Sequence, residues 1–315
     1  MPQTLAPPAP DPTGASTPGT APDTAPDTEL RALAEHHGLT VSGARPSLSD
    51  YTRQLWHRRH FITSFAGAKL TAQYSQAKLG QLWQVVTPLL NALVYYLIFG
   101  LLMGTNRHVD DYIPFLVTGV FIFTFTQNSV LAGTRAISGN LGLVRALHFP
   151  RAALPISFCL MQLQQLLMSM GVLVVILMAS GQMPHPSWLL ALPALALQFV
   201  FNTGLAMVMA RLGSRTPDLA QLMPFIIRTW MYASGVMYSM SVVTAGKQVP
   251  AVVQFLLDVN PAAVYIDLMR FALIDSFTHQ QLPHHVWACA VGWALVMGVV
   301  GFVYFWKAEE RYGRG

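Results

Sequence analysis

The sequence predicts an all-α integral membrane protein with six transmembrane helices, an N-terminal amphipathic interfacial helix and a re-entrant external helix pair before the last span. Three observations predict it. Six apolar stretches, 82–103, 114–132, 154–179, 188–210, 219–240 and 286–306, each reach the roughly 20 residues that cross ~30 Å of hydrocarbon as a helix. Lys and Arg gather in alternate connections between these stretches. Backbone N–H and C=O groups find no water in hydrocarbon, so a chain this apolar pairs them within helices.

The N-terminal segment, residues 1–30, has a different composition. Its first 28 residues hold eight prolines among Ala, Thr, Ser and Asp, and no base precedes Arg31. Such a chain cannot bury enough apolar area to offset its ordering entropy, so a disordered cytoplasmic tail is expected, with a partner-docking arm as the alternative. It also lacks the basic and apolar regions of a cleaved signal peptide. Residues 31–81 then form a cytoplasmic segment. Within it Leu48, Tyr51, Leu55, Ile62 and Phe65 fall on one helical face, ringed by Arg53, Trp56, His57, Arg58 and Arg59. That pattern predicts an interfacial helix with its apolar side in acyl chains and its bases toward phosphates, serving as a membrane anchor or as a guide for an anionic headgroup.

Counting bases orients the 82–306 transmembrane domain. Arg31, Arg45, Arg53, Arg58, Arg59, Lys69 and Lys78 precede the first span, whereas the next connection has only Arg107 beside Asp110 and Asp111. Arg135, Arg145 and Arg151 follow the second span, none lies in 180–187, and Arg211 and Arg215 follow the fourth. Lys307, Arg311 and Arg314 close the chain in a 307–315 tail. The positive-inside rule therefore places both termini in the cytoplasm of a multi-pass protein of the cytoplasmic membrane. The external connection 241–285 is too apolar for a solvated loop. Its runs 249–257 and 262–277 are joined by Asn260-Pro261, a turn-starting dipeptide, and read as two short helices dipping back into the membrane. Re-entrant backbone of this kind must be buried in protein or line a cavity.

Several chemistries are excluded or disfavoured. A GxxxxGK[ST] loop needs Lys before Ser or Thr, but Lys69, Lys78, Lys247 and Lys307 precede Leu, Leu, Gln and Ala. GxSxG and HExxH are absent. Cys159 and Cys289 lie inside spans and read as small core residues, and no acid or Cys completes a metal-ligand set with His57 and His60 or with His284 and His285. The net charge of +5 belongs mostly to connecting loops, where it signals topology and attracts anionic membrane lipids, and it gives no case for nucleic acid. A conduit fits better than an enzyme. Tyr95, Tyr96, Phe99, Phe121, Phe125, Trp230, Tyr232 and Tyr238 are its candidate aromatic lining, each with lipid-facing or packing roles as the alternative. Arg228, deep in a span, should face the lumen or a partner, or snorkel from a span that begins nearer Pro224. The connection 138–150, with Leu143, Val144, Arg145, Leu147 and Phe149, is either a helix that docks on a separate subunit or a solvated loop.

Local motifs carry a resemblance. Tyr74-Ser75-Gln76-Ala77-Lys78-Leu79-Gly80-Gln81-Leu82-Trp83, followed by Pro88, resembles the start of the first span in permeases of ABC-2 type exporters. Gly139-Asn140-Leu141-Gly142-Leu143-Val144-Arg145, then Phe149-Pro150-Arg151 and Leu154-Pro155, is similar to that family's cytoplasmic connection, and Asn260-Pro261 with Tyr265 and Arg270 to its external pair. Gln73 and Ser75 stand where the family usually carries bases, Gly235 replaces a proline in span five and keeps a flexible break within Ala233–Tyr238, and an Arg–Asp pair is spread over Arg215-Thr216-Pro217-Asp218. The resemblance implies a non-enzymatic permease subunit that exports a lipid-linked polysaccharide, O-antigen, capsule or teichoic-acid-like polymer. It implies a homodimer, completing twelve helices around one lumen, and a separate ABC ATPase that carries ATP and Mg, so this chain needs no cofactor. Leu143, Val144, Arg145, Phe149 and Arg151 would couple to that ATPase; Arg58, Arg59, Lys69 and Lys78 would meet a lipid pyrophosphate; Asn260, Pro261, Tyr265 and Arg270 would gate the exit. A drug or small-lipid exporter of the same family is the alternative. A membrane-embedded glycosyl or acyl transferase would need ionisable residues clustered at one depth, which the spans lack. No GxxxG pattern marks a dimer seam.

Overall fold

The computed structural model describes residue 36 and residues 46–75, 78, 80–105, 109, 111–147, 149–239, 250–278, 281–283 and 285–312, and the expected tail at 1–30 lies outside them. The described elements are all helical. In chain order they are α1 (Leu48–His57), α2 (Arg59–Tyr74), α3 (Trp83–Tyr95), α4 (Tyr112–Thr134), α5 (Leu141–Ala146), α6 (Ala153–Ala179), α7 (Ala191–Arg215), α8 (Leu219–Tyr232), α9 (Ala251–Asp258), α10 (Pro261–Leu273) and α11 (Val286–Trp306). Five spans are long and apolar enough to cross a membrane, six if the bent pair α9–α10 counts as one.

Helix α4 is the axis of the bundle. Apolar side chains occur on every side of it, so it must be surrounded, and Phe115, Leu116, Phe121, Ile122 and Phe123 are all buried. Helices α6, α7, α8 and α10 pack around it. At α3 and α11 the pattern is one-sided: Leu93, Leu97 and Leu101, and Leu295 and Val299, stay exposed on the outer faces. Helix α3 continues through Tyr96–Leu102 as a widened π-helix, with the Met103 N–H reaching back to the Ile98 carbonyl at 3.0 Å.

Glycines let three helices touch backbone to backbone. A Cβ on Gly204 of α7 would sit 2.0 Å from the Met297 carbonyl oxygen of α11, and one on Gly301 would sit 2.2 Å from the Gly204 carbonyl oxygen. On the other side of α7, Gly213 presses on the Thr134 carbonyl at the end of α4 in the same way, at 2.0 Å. Small residues thus set seams within the chain, a use of the small-residue rule that spacing alone does not reveal.

Span five departs from expectation. The stretch 219–240 begins as α8, which stops at Tyr232 after 14 residues, or ~21 Å, short of the hydrocarbon thickness. The chain then turns through Ala233–Tyr238, with Gly235 at φ 63°, a conformation that glycine adopts without steric cost. The last residue of the expected span, Met240, lies outside the described residues.

The amphipathic segment also differs from its expected form. It is two helices broken at Arg58, and the Ser47 hydroxyl caps the first by accepting from the Asp50 N–H at 3.2 Å. Its apolar side faces protein instead of acyl chains: Tyr51 and Leu55 join a cluster with Ile137, Leu154, Phe305 and Tyr312, and Ala66 and Leu70 pack with Met161 of α6. Hydrophobic periodicity reports that a face is buried without saying what buries it.

Candidate functional site

A cavity of about 510 Å³ opens among α2, α3, α4 and α6. Each of the last three helices contributes a polar stripe on one face. These are Gln84, Thr87 and Asn91 on α3, Thr124, Gln127 and Asn128 on α4, and Gln162, Gln165 and Ser169 on α6. The recurring spacing of three and four residues puts each set on a single helical side. Gln73 and Tyr74, at the end of α2, close the wall, and Tyr95, Phe121 and Phe125 add aromatic surface. No Asp, Glu, Lys, Arg or His is among the described lining residues.

The polar groups are held in place by burial and by one another. Gln165 Nε2 donates to Gln73 Oε1 at 3.1 Å and to the Tyr74 hydroxyl at 3.4 Å. Ser169 donates to the Gln84 backbone carbonyl at 3.5 Å. Gln84 is 5% exposed, and neither the nitrogen nor the oxygen of its buried carboxamide has a partner among the described residues. A buried amide left this way costs about 1–3 kcal/mol, which a ligand or water can relieve. Carboxamides both donate and accept, so seven of them around one space suit a neutral, hydroxyl-rich molecule, and the aromatic rings suit its apolar faces.

Of the expected lining residues, the structure brings Tyr95, Phe121 and Phe125 to this cavity. Tyr96 and Phe99 pack into the core, Tyr96 against Tyr112 at 6.2 Å. Trp230 donates to Asn260 Oδ1 at 2.9 Å and meets Phe123 edge-on at 6.0 Å. Tyr238 donates to the Tyr232 carbonyl at 2.6 Å, and Tyr232 itself is exposed. Arg228 is exposed on α8, within electrostatic reach of Tyr95 but outside the cavity. The seven amides of the lining carry neither charge nor an aromatic ring, so the features that mark Arg228 and the aromatics in the sequence do not mark them.

Two of the four expected gate residues, Asn260 and Arg270, clamp the turn that ends α8. The guanidinium of Arg270, 1% exposed, donates to the backbone carbonyls of Phe115 (3.2 Å), Gly235 (3.0 Å) and Val236 (2.9 Å). It also pairs with Asp267 at 3.3 Å and lies 3.4 Å from the centroid of the Phe115 ring. Asn260 caps α10 and donates to the Ala233 carbonyl at 3.0 Å and to the Ser234 hydroxyl at 3.2 Å. Pro261 begins α10, where its missing N–H costs nothing. Tyr265 donates to the Ala290 carbonyl at 2.9 Å, and Tyr112 to Met237 at 2.9 Å. In the turn after α8, the carbonyls of Ala233, Gly235, Val236 and Met237 are therefore each met by a side chain from another element, while those of Trp230 and Tyr232 accept from Ser234 and Tyr238 nearby.

At the basic end of the bundle, α5 and its flanks divide into inward and outward residues. Val144 is buried, Leu143 half-buried, and Phe149 packs on Phe61 at 5.2 Å, leaving Leu141, Arg145 and Leu147 exposed. Arg151 turns inward to Glu309. Its N–H donates to Glu309 Oε1 at 2.9 Å and its guanidinium to the Glu309 carbonyl, and Tyr51 donates to Glu309 Oε2 at 2.8 Å. The Tyr51 oxygen in turn accepts from the Ala152 N–H at 3.0 Å. Arg58, Arg59 and Lys78 are exposed, with Arg59 over Trp56, and Lys69 lies over Phe65, so no described contact joins these four bases into one site.

Burial pushes the Glu309 carboxyl above the ordinary glutamate range, against the opposing pull of its Arg151 and Tyr51 hydrogen bonds. The folded chain then holds that proton more tightly than the unfolded one. Stability from this group is greatest below the ordinary glutamate value and falls as pH rises toward the raised one. Glu309→Gln, which keeps a carbonyl acceptor, should flatten this slope in melting temperature measured against pH. Glu309→Ala should lower the melting temperature at every pH, by the equivalent of about 1–3 kcal/mol for two buried donors left unpaired.

Comparison with known proteins adds a second line. Residues 64–274 match the ABC-2 type transporter family. An O-antigen export system permease protein RfbA of Klebsiella pneumoniae is 28% identical over 244 residues, covering 77% of this chain and 90% of that protein. Another RfbA of Klebsiella pneumoniae is 25% identical over the same length and shares, and one of Myxococcus xanthus is 28% identical over 191 residues, 61% of this chain and 73% of that protein.

Proposed function

Because the chain belongs to the ABC-2 type transporter family, we propose that it is the membrane-spanning permease subunit of an exporter that moves a lipid-linked polysaccharide or teichoic-acid-like polymer outward across the cytoplasmic membrane. Energy comes from a separate ABC ATPase, and two copies of this chain complete the path. Both termini lie in the cytoplasm, so the basic end of the bundle is where the ATPase docks. There Leu141, Arg145 and Leu147 form the outward surface, while Val144 and Arg151 fix α5 to the bundle and let it transmit a rigid-body push.

The observation that carries the substrate class is the neutral cavity of seven carboxamides and five aromatic rings, read together with three O-antigen permease relatives. Sugar hydroxyls exchange hydrogen bonds with amides at little net cost, which allows a polymer to pass without being trapped. A fixed charge would hold an ionised group too strongly for passage. The lipid pyrophosphate therefore stays outside this cavity, near the bases of α1 and α2.

The test is reconstitution of the chain with the ATPase that co-purifies with it, scored for glycan export and nucleotide hydrolysis. Gln84→Leu together with Gln165→Leu should lower export at least tenfold while hydrolysis persists. Unchanged export would remove the cavity from the path. A deletion strain that gains drug sensitivity and keeps its surface glycan would favour a drug exporter instead.

A further inference from the structure

Two arginines lie at membrane depth, and the fold treats them in opposite ways. Arg270 is 1% exposed and meets Asp267 and three backbone carbonyls. Arg228 is exposed on α8, and no hydrogen bond or ion pair reaches it among the described residues. It stands ~14 Å along the helix from Leu219, where α8 starts, and that is nearly half of the ~30 Å of hydrocarbon. A guanidinium turned toward acyl chains at such a depth is strongly unfavourable, so the side of α8 that carries it faces water or protein.

The rest of that side agrees. Gln221, Phe225, Arg228 and Tyr232 recur at spacings of four, three and four, which stacks them in one stripe, and all four are exposed. Helix α11 shows the contrast, because its exposed residues, Leu295 and Val299 among them, are all apolar. The stripe also borders the carboxamide cavity. Tyr95 lines that cavity, its hydroxyl lies 3.8 Å from the Met231 sulfur of α8, and Arg228 is within electrostatic reach of the same tyrosine. Thr87 and Asn91 of α3, which also line it, are exposed, so its polar surface is not sealed inside the bundle.

We propose that Arg228 faces the aqueous passage and sets its charge selectivity, barring cations while neutral sugar goes through. This rests on the exporter reading, under which two copies place a pair of these charges around one path. A passage wide enough for a glycan admits hydrated ions, and amides and hydroxyls offer them little electrostatic barrier. A fixed positive charge midway supplies one, in the way that a single arginine excludes cations from narrower pores. It acts where the surrounding helices are apolar and screening is weak, so its field reaches across the opening.

The test uses the chain with its ATPase in proteoliposomes turning over ATP under a potassium chloride gradient. Wild type should pass chloride at least tenfold more readily than potassium, Arg228→Gln should lose the preference, and Arg228→Glu should reverse it. Arg228→Lys should behave as wild type because it conserves the charge. Melting temperatures should not change, since no described contact depends on this side chain. Water contact is measured separately. In a Cys289→Ser background, Arg228→Cys should react with a water-soluble methanethiosulfonate at least tenfold faster than Leu295→Cys on the apolar side of α11. Equal rates would return Arg228 to the lipid and overturn the proposal. So would one selectivity shared by wild type and the Gln and Glu variants, or the absence of ion current in all of them. Either result beside intact glycan export removes this inference alone, whereas a wild-type complex that exports no glycan removes the exporter reading on which it rests.

Discussion

Arg270→Met should abolish transport and strip the protein of its cooperative thermal transition, or shift that transition down by the equivalent of about 3–5 kcal/mol, the usual result of breaking a buried ion pair from one side. The substitution leaves Asp267 without its partner and the carbonyls of Phe115, Gly235 and Val236 without a donor in a region that water does not reach. Arg270→Lys should rescue little. One ammonium cannot span three diverging carbonyls and also lie flat on the Phe115 ring. Gly119→Ala offers an independent check, because its Cβ would stand 2.6 Å from Arg270 Nη2 and push the guanidinium off the turn. It should reproduce part of the loss with the arginine still present. Detergent-solubilised melting curves and vesicle export measure both outcomes, and a wild-type profile for Arg270→Met would show that the end of α8 is held by something else.

Gly204→Val should have an effect of similar size for a different reason. Its branched side chain would have to occupy the space of the Met297 carbonyl, so α7 and α11 must separate and Gly301 loses its contact as well. Overpacking ordinarily costs about 1–3 kcal/mol, and a clash with backbone on both sides falls at or beyond the top of that range. Gly292→Val on the same α11 is the control, since nothing lies within 4 Å of its Cβ. Expression and size-exclusion profiles should separate the two variants, and equal behaviour would mean that the seam is dispensable.

The apolar stretches and the alternation of bases made the helical membrane fold legible, because hydrocarbon thickness and backbone pairing leave few alternatives. The end of α8 was legible as a flexible break at Gly235 within a span read as running to residue 240. Its geometry was not, because the donors that make it tolerable, Tyr112, Asn260 and Arg270, lie far away in the chain. Asn260-Pro261 was legible as a turn through local backbone chemistry, whereas the clamp it builds is a tertiary fact. The cavity was partly legible: Gln84, Thr87 and Asn91 repeat at helical spacing within an apolar stretch, as do Gln162, Gln165 and Ser169. A search restricted to charge and aromatic residues passes over them. The buried faces of α1 and α2 were legible as faces only, since acyl chains and protein select the same side chains.

The glycine seams have a mechanical consequence. Where α4, α7 and α11 meet through carbonyls and Cα atoms, no side chain can rotate to let one helix slide past the next, so the three act as a stator. In the proposed exporter, displacement driven from the basic end would then be taken up by the peripheral members, α3 with its π-widened half and α8 with its short, side-chain-tethered end. Both border the carboxamide cavity, α8 through Met231, so a stroke that leaves the stator fixed would still change the bore of the proposed passage.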